Sequence, residues 1–248
     1  MNKSALIASF AVAAVLVSGF ATASDQIQWG YSGAAGPEHW GELAPEFATC
    51  STGKNQSPIN LTGMIEGKLP ALEVHYKAGG NEVVNNGHTI QIKYAPGSSM
   101  AVGDRTFELK QAHFHSPSEN IIEGRSYPLE VHFVHVDKNG NLAVIAVMFE
   151  TGQSNAELEK AWALMPMGKG ETAVLKDAVD AGILLPQDHA YYRYNGSLTT
   201  PPCSEGVHWL VMKSSGTASK EQIDKFKQAM HHANNRPVQP INARVVIQ

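Results

Sequence analysis

Three histidines carry the strongest chemical signal in this chain. Successive side chains of a β-strand point to opposite faces, so residues two apart share a face. In the segment Gln111-Ala112-His113-Phe114-His115 both histidines therefore project together with Gln111. Glu130, His132 and Val134 do the same in a second apolar segment. If the two segments pair, three imidazoles converge from a rigid sheet. Three nitrogen ligands leave a tetrahedral Zn²⁺ with one open position, the arrangement of a catalytic rather than a structural zinc. Gln111 and Glu130 each precede a histidine by two residues on its own face. There they can accept the proton of the ring nitrogen turned away from the metal and so fix the tautomer.

The elements that would position these residues are mostly strands. Runs bounded by turn residues predict strands over 72–76, 82–84, 89–94, 106–115, 129–136, 142–149, 207–213 and 244–247. Lys138-Asn139-Gly140-Asn141 reads as a hairpin turn between the fifth and sixth of these. Ser154 or Asn155 could cap a helix running to about Met165, with Leu158, Trp162 and Met165 on one face. Ser219 with Gln222 forms a capping box ahead of Ile223, Phe226 and Met230. Residues 25–60 lack periodicity and read as irregular chain wrapped around the body. No repeat or linker appears, so the pattern predicts one α+β, mainly β domain spanning 24–248, a large sheet with a few peripheral helices. The isolated histidines His75, His135, His189, His208, His231 and His232 read as ordinary core or surface residues.

Of the 248 residues, 43% are hydrophobic and 17% charged, enough apolar material for a substantial core. A formal net charge of -4 gives no electrostatic footprint for nucleic acid or an anionic membrane. Asn2-Lys3, an apolar run from Ala5 to Phe20 and Ala21-Thr22-Ala23 read as a signal peptide over 1–23, with the mature chain starting at Ser24. The run is short for a membrane span, and its small-residue end favours cleavage. The expected product is exported to the periplasm or secreted, with no membrane association after cleavage. Cys50 and Cys203 are the only cysteines, and in an exported chain they are expected to form a disulfide.

The run Gln111-Ala112-His113-Phe114-His115-Ser116-Pro117-Ser118-Glu119 resembles the zinc-strand signature of the α-class carbonic anhydrases, of bacterial periplasmic type. Tyr194-Asn195-Gly196-Ser197-Leu198-Thr199-Thr200-Pro201-Pro202-Cys203 resembles their substrate loop, and Asn55-Gln56-Ser57-Pro58-Ile59-Asn60 their early motif. Trp29-Gly30-Tyr31, Gly36-Pro37-Glu38-His39-Trp40, Asn86-Gly87-His88 and Asn234-Asn235-Arg236-Pro237 match in the same order. The resemblance implies a twisted, mixed but mostly antiparallel sheet with Zn²⁺ at the base of a conical cleft. It implies reversible hydration of CO₂ to bicarbonate by zinc-bound hydroxide; the oligomeric state, monomer or homodimer, is left open by the sequence.

By the same resemblance His113, His115 and His132 hold the metal, oriented by Gln111, the Asn234 carbonyl and Glu130. Glu119 accepts a hydrogen bond from the Thr199 hydroxyl, leaving Thr199 to accept from the hydroxide. Val134, Val144, Leu198, Val207 and Trp209, with Thr199 and Thr200, form the CO₂ site. His88 exports the proton along a path lined by Tyr31, Asn86 and Gln91. Asn120 departs from the histidine common after this glutamate and puts the buried network near Tyr194 in question. The short segment between His115 and Glu119 trims one rim of the cleft, as in bacterial relatives. A non-catalytic binding relative would lack a zinc histidine, and a zinc peptidase would need a motif such as His-Glu-x-x-His. Neither fits.

Overall fold

The computed structural model describes residues 27–248, so the expected leader over 1–23 lies outside the described residues. The chain forms β1 (Asn60–Leu61), β2 (Leu72–His75), β3 (Gly80–Asn85), β4 (Ile90–Tyr94), β5 (Ser99–Val102), β6 (Arg105–His115) and β7 (Ile121–Ile122). Then follow β8 (Leu129–Val136), β9 (Leu142–Thr151), β10 (Thr172–Val179), β11 (Tyr191–Ser197), β12 (Glu205–Met212) and β13 (Gly216–Ala218). The main sheet runs β10-β3-β4-β6-β8-β9-β12-β11, with β2 and β5 joined beside β6 and β13 beside β9. Its pairs are antiparallel except β12 with β9 and β13 with β9. This is the mainly β, mixed and mostly antiparallel sheet expected.

The two faces of the sheet have different work. One buries Phe114, Val131, Phe133, Ile145, Val147 and Leu210 in the larger core. The other carries Val144, Ala146, Val207, Trp209 and Val211 in a smaller cluster beside the histidines. A bulge in β6 decides which residues go where. Strict alternation would put Phe107 and Leu109 on the histidine face, because both are an even number of residues from His113. The register shifts between Leu109 and Gln111, and both hydrophobes join the larger core instead. An extra residue in one strand re-aims everything beyond it.

Helices α1 (Trp40–Leu43), α2 (Thr49–Thr52), α3 (Ala156–Trp162), α4 (Ala181–Leu184) and α5 (Lys220–Met230) complete the described chain. Asn155 caps α3, accepting from the Glu157 and Leu158 amides, and the Ser219–Gln222 capping box opens α5. Gln222 also bonds the Asn155 backbone from both ends of its amide, tying the two helix starts together under the sheet.

Three expectations are corrected. Helix α3 stops at Trp162 rather than near Met165, because Pro166 disfavours helical geometry in the residue before it. The stretch 244–247 is no strand, and only isolated bridges from Ile247 to Ile65 and Arg193 form there. Residues 25–60 are less irregular than expected where described, holding α1, α2 and two short 3₁₀ turns.

Candidate metal centre

Strand register brings the three histidines together. His113 sits directly opposite His132 across β6 and β8, and His115 opposite Glu130. One ring nitrogen from each of His113, His115 and His132 lies within 4.8 Å of the others, forming a potential metal-binding group. Each remaining nitrogen is engaged. His113 Nδ1 donates to Gln111 Oε1 at 2.8 Å, His115 Nδ1 to the Asn234 carbonyl at 2.7 Å, and His132 Nε2 to Glu130 Oε1 at 2.8 Å. These bonds aim Nε2 of His113, Nε2 of His115 and Nδ1 of His132 at a common point. His115 Nε2 is buried without a hydrogen-bond partner among the described residues, an orphan that a metal ion would satisfy.

Electrostatics favours ligation. Burial, reinforced by the neighbouring imidazoles, drives His113 and His132 well below the usual histidine range. Burial lowers His115 too, against the opposing pull of the Asn234 carbonyl. Neutral imidazoles are what a cation needs as ligands.

The acceptors are themselves held. Glu130 takes the backbone amides of Glu119 and Asn120 on Oε2, at 2.6 and 2.9 Å, and Asn120 Nδ2 on Oε1 at 2.7 Å. Tyr194 donates its hydroxyl to Asn120 Oδ1 at 2.9 Å. The asparagine that departs from the common pattern thus completes the buried network, donating to the carboxylate and accepting from the phenol. Its amide suits that bridge because it offers donors on one atom and an acceptor on the other. The Asn234 side chain contributes as well, accepting from the Ser116 amide and donating to the Phe114 carbonyl, which braces the end of β6 around His115.

Glu119 lies at the same depth, with Oε2 3.5 Å from His115 Nε2. Its Oε1 accepts the Arg236 amide at 2.8 Å. Burial raises its carboxyl to about 8, against the opposing pull of that amide and of the Thr199 hydroxyl. Thr199 lies two residues past the end of β11 and is itself buried. The stretch expected to be wholly loop is therefore strand as far as Ser197. Gly196 is in that strand because Ser57 Oγ would stand 2.1 Å from any Cβ there.

Above the histidines, a cleft of about 150 Å³ is lined by Tyr31, Asn86, His88, Gln91 and Thr200, together with Trp29. Val144, Val207 and Trp209 cluster beside it with Val134 and Leu198 packed on, and the Trp209 ring meets His132 edge-on at 4.9 Å. The cleft thus brings Tyr31, Asn86, His88, Gln91 and Thr200 together with Gln111, His113 and His115. The Trp29 role was not legible in the sequence: its ring stacks on His88 with centroids 3.7 Å apart. Cys50 and Cys203 form the expected disulfide, tying α2 to the turn after Thr200.

The comparisons agree with this geometry. Residues 35–248 match the family model described as eukaryotic-type carbonic anhydrase. The chain belongs to that family. A carbonic anhydrase of Neisseria gonorrhoeae is 53% identical over 221 residues, covering 89% of this chain and 87% of that relative. One from Pectobacterium carotovorum is 48% identical over 227 residues, covering 92% and 93%. The solved α-carbonic anhydrase of Thermovibrio ammonificans, in complex with the inhibitor sulfanilamide, superposes with a TM-score of 0.88 at 49% identity, covering 90% of this chain and all of that one. Membership makes the chain a carbonate dehydratase, a lyase acting on CO₂ and bicarbonate, in a family of zinc enzymes. Among the described residues no helix is long and apolar enough to cross a membrane.

Proposed function

We propose that the chain hydrates CO₂ reversibly with Zn²⁺ held by His113, His115 and His132, and that His88 passes the released proton to buffer. The convergence of three imidazole nitrogens, each turned inward by a bond on its other nitrogen, carries this reading. A zinc ion held by these three residues would supply Lewis acidity, which in carbonic anhydrases as a class lowers the pKa of water from ~15.7 to about 7.

The chain's own residues do the rest. The Thr199 hydroxyl has one proton and two lone pairs. With its O–H donated in a hydrogen bond to Glu119, it can only accept from a further donor, and it would thereby orient an oxygen placed at the metal position. A cation held among the histidines would oppose the burial that raises the Glu119 carboxyl and so favour its carboxylate form as the acceptor. Val134, Val144, Leu198, Val207 and Trp209 offer CO₂ an apolar wall that an anionic product leaves readily. Thr199→Ala should keep the metal but lose about 2–3 kcal/mol of transition-state stabilisation, as when one preorganised partner is removed. Steady-state hydration rates alongside metal content check this, and wild-type turnover would overturn the Thr199–Glu119 pairing.

His88 is half-buried against Trp29. Burial, then the charges of Lys169 and His232, lower its pKa to about 4. Efficient proton pick-up calls for a value near the operating pH, so the ring accepts best when it swings off Trp29 toward water. Stopped-flow CO₂ hydration on purified, metal-analysed protein tests the whole proposal. One zinc per chain with rapid hydration supports it, and a zinc-loaded but inactive protein ends it. In the same assay His88→Ala should lower kcat more than kcat/KM, with imidazole buffer restoring part of the rate. An equal fall in both, unrelieved by imidazole, would remove His88 from proton transfer. We further propose that 1–23 is a cleaved leader and 24–248 the catalytic domain, acting in the periplasm or outside the cell.

A further inference from the structure

On the sheet face turned away from the histidines, two arginines and a histidine meet at a groove of about 210 Å³. Phe107, carried to this face by the β6 bulge, forms its floor. The Arg105 guanidinium lies 4.7 Å from the centre of the Phe107 ring, and the His208 ring packs on the same side chain with centroids 6.2 Å apart. Arg105 Nη1 reaches His208 Nε2, and Arg193 Nη2 reaches His208 Nδ1, each at 2.5 Å.

One imidazole cannot satisfy both arginines. A neutral ring has one accepting nitrogen and one N–H, while a guanidinium only donates. Whichever tautomer forms, one arginine faces an N–H, and protonating the ring would leave both contacts unfavourable. Burial and the Arg193 and Arg105 charges, against Asp137, lower the His208 pKa to about 4, so the ring is neutral near pH 7. Asp137 pairs with Arg105 at 2.9 Å. The other hydrogen bonds of Arg193 go to the Tyr194 carbonyl and Asn195 Oδ1, neither of them anionic. One guanidinium is thus uncompensated at the wall of a groove.

We propose that this groove binds a small oxyanion, of the bicarbonate or phosphate kind, between Arg193, Arg105 and His208, at a site separate from the metal centre. Such an anion brings acceptors for the misdirected N–H groups, and guanidinium donors suit its geometry. Asp104 also lines the groove but is exposed, where water and salt screen its charge.

The test follows the His208 ring by NMR in the full, zinc-loaded protein, its signal assigned with a His208→Gln variant. Inorganic phosphate and bicarbonate are titrated separately against chloride at matched ionic strength. A signal local to His208 separates this site from any anion at the metal centre. Saturable displacement by either oxyanion, and not by chloride, is the expected result, and whichever saturates at lower concentration identifies the occupant. Arg193→Gln and Arg105→Gln should each weaken binding about tenfold, the effect of losing one charge-assisted hydrogen bond. Asp104→Asn should tighten it. Arg193 also bonds β11, so Arg105→Gln keeps the test intact if the first variant misfolds. A response equal to that of chloride, or oxyanion affinity unchanged in the folded arginine variants, would overturn the site.

Discussion

Replacing His113, His115 or His132 by alanine is expected to remove most bound zinc and nearly all CO₂ hydration, while leaving the sheet folded. Each substitution takes one of the three imidazoles that the described residues bring together as a potential metal-binding group. The nearest other donor, Glu119 Oε2, lies 3.5 Å from His115 Nε2. That carboxylate is anchored by its Oε1 to the Arg236 amide at 2.8 Å, which holds it in place rather than letting it move in as a full substitute for an imidazole. Folding should survive because the acceptors keep other partners. Without His132, Glu130 still receives the Glu119 and Asn120 amides and the Asn120 side chain. Emptying a buried site still costs about 2–5 kcal/mol for a large side chain, so part of the lost activity could come from loosened packing. His→Gln at the same positions separates the effects, since it retains much of the volume and discards the imidazole. Metal analysis, circular dichroism and hydration rates on both sets decide the matter. Full zinc occupancy with near-normal turnover in any one variant would sink the ligand assignment.

The site was legible in sequence because its logic is local. Residues two apart on a strand share a face, so Gln111 with His113, and Glu130 with His132, announce themselves as ligand and support before any pairing is known. What was not legible depends on pairing. The bulge near Lys110 has no glycine or proline to mark it, and it shows only when β6 is laid against β8. Strand β10 escaped because its side chains are largely exposed and show no alternation, as at an edge. Asn195-Gly196 belongs to the stretch that resembles a substrate loop, yet it lies within β11, where the glycine answers a close approach from Ser57. Asn120 looked like a defect because its partners, Glu130 and Tyr194, come from different strands. The Arg105, His208 and Arg193 cluster was invisible for the same reason: three residues from three strands, none in a motif.

The Cys50→Ser/Cys203→Ser double variant should fold and bind zinc, but melt far below the parent. The bridge spans 153 positions. In the chain-entropy model, closing so long a loop constrains the unfolded chain by about 5 kcal/mol, a model-dependent figure that measured disulfides often fall short of. Typical domains have only about 5–15 kcal/mol in total, so even half of that would be felt. A melting point lower by about 10 °C is the expected scale. At low temperature the site should persist, because the bridge is not alone in holding this corner. Arg236 Nη2 bonds the Cys50 carbonyl at 2.9 Å, Gln56 Nε2 the Cys203 carbonyl at 3.0 Å, and the Cys203 amide the Thr200 carbonyl at 2.9 Å. Those bonds are individually weak beside a covalent link, and they hold the turn that carries Thr199 and Thr200. On warming, activity should therefore fall before the sheet's circular dichroism signal, because the turn can loosen while β6, β8 and β9 stay paired. Simultaneous loss of the two signals would mean that the bridge stabilises the whole domain and gives the turn no separate protection. Two alkylatable thiols in parent protein purified without reductant would remove the premise itself.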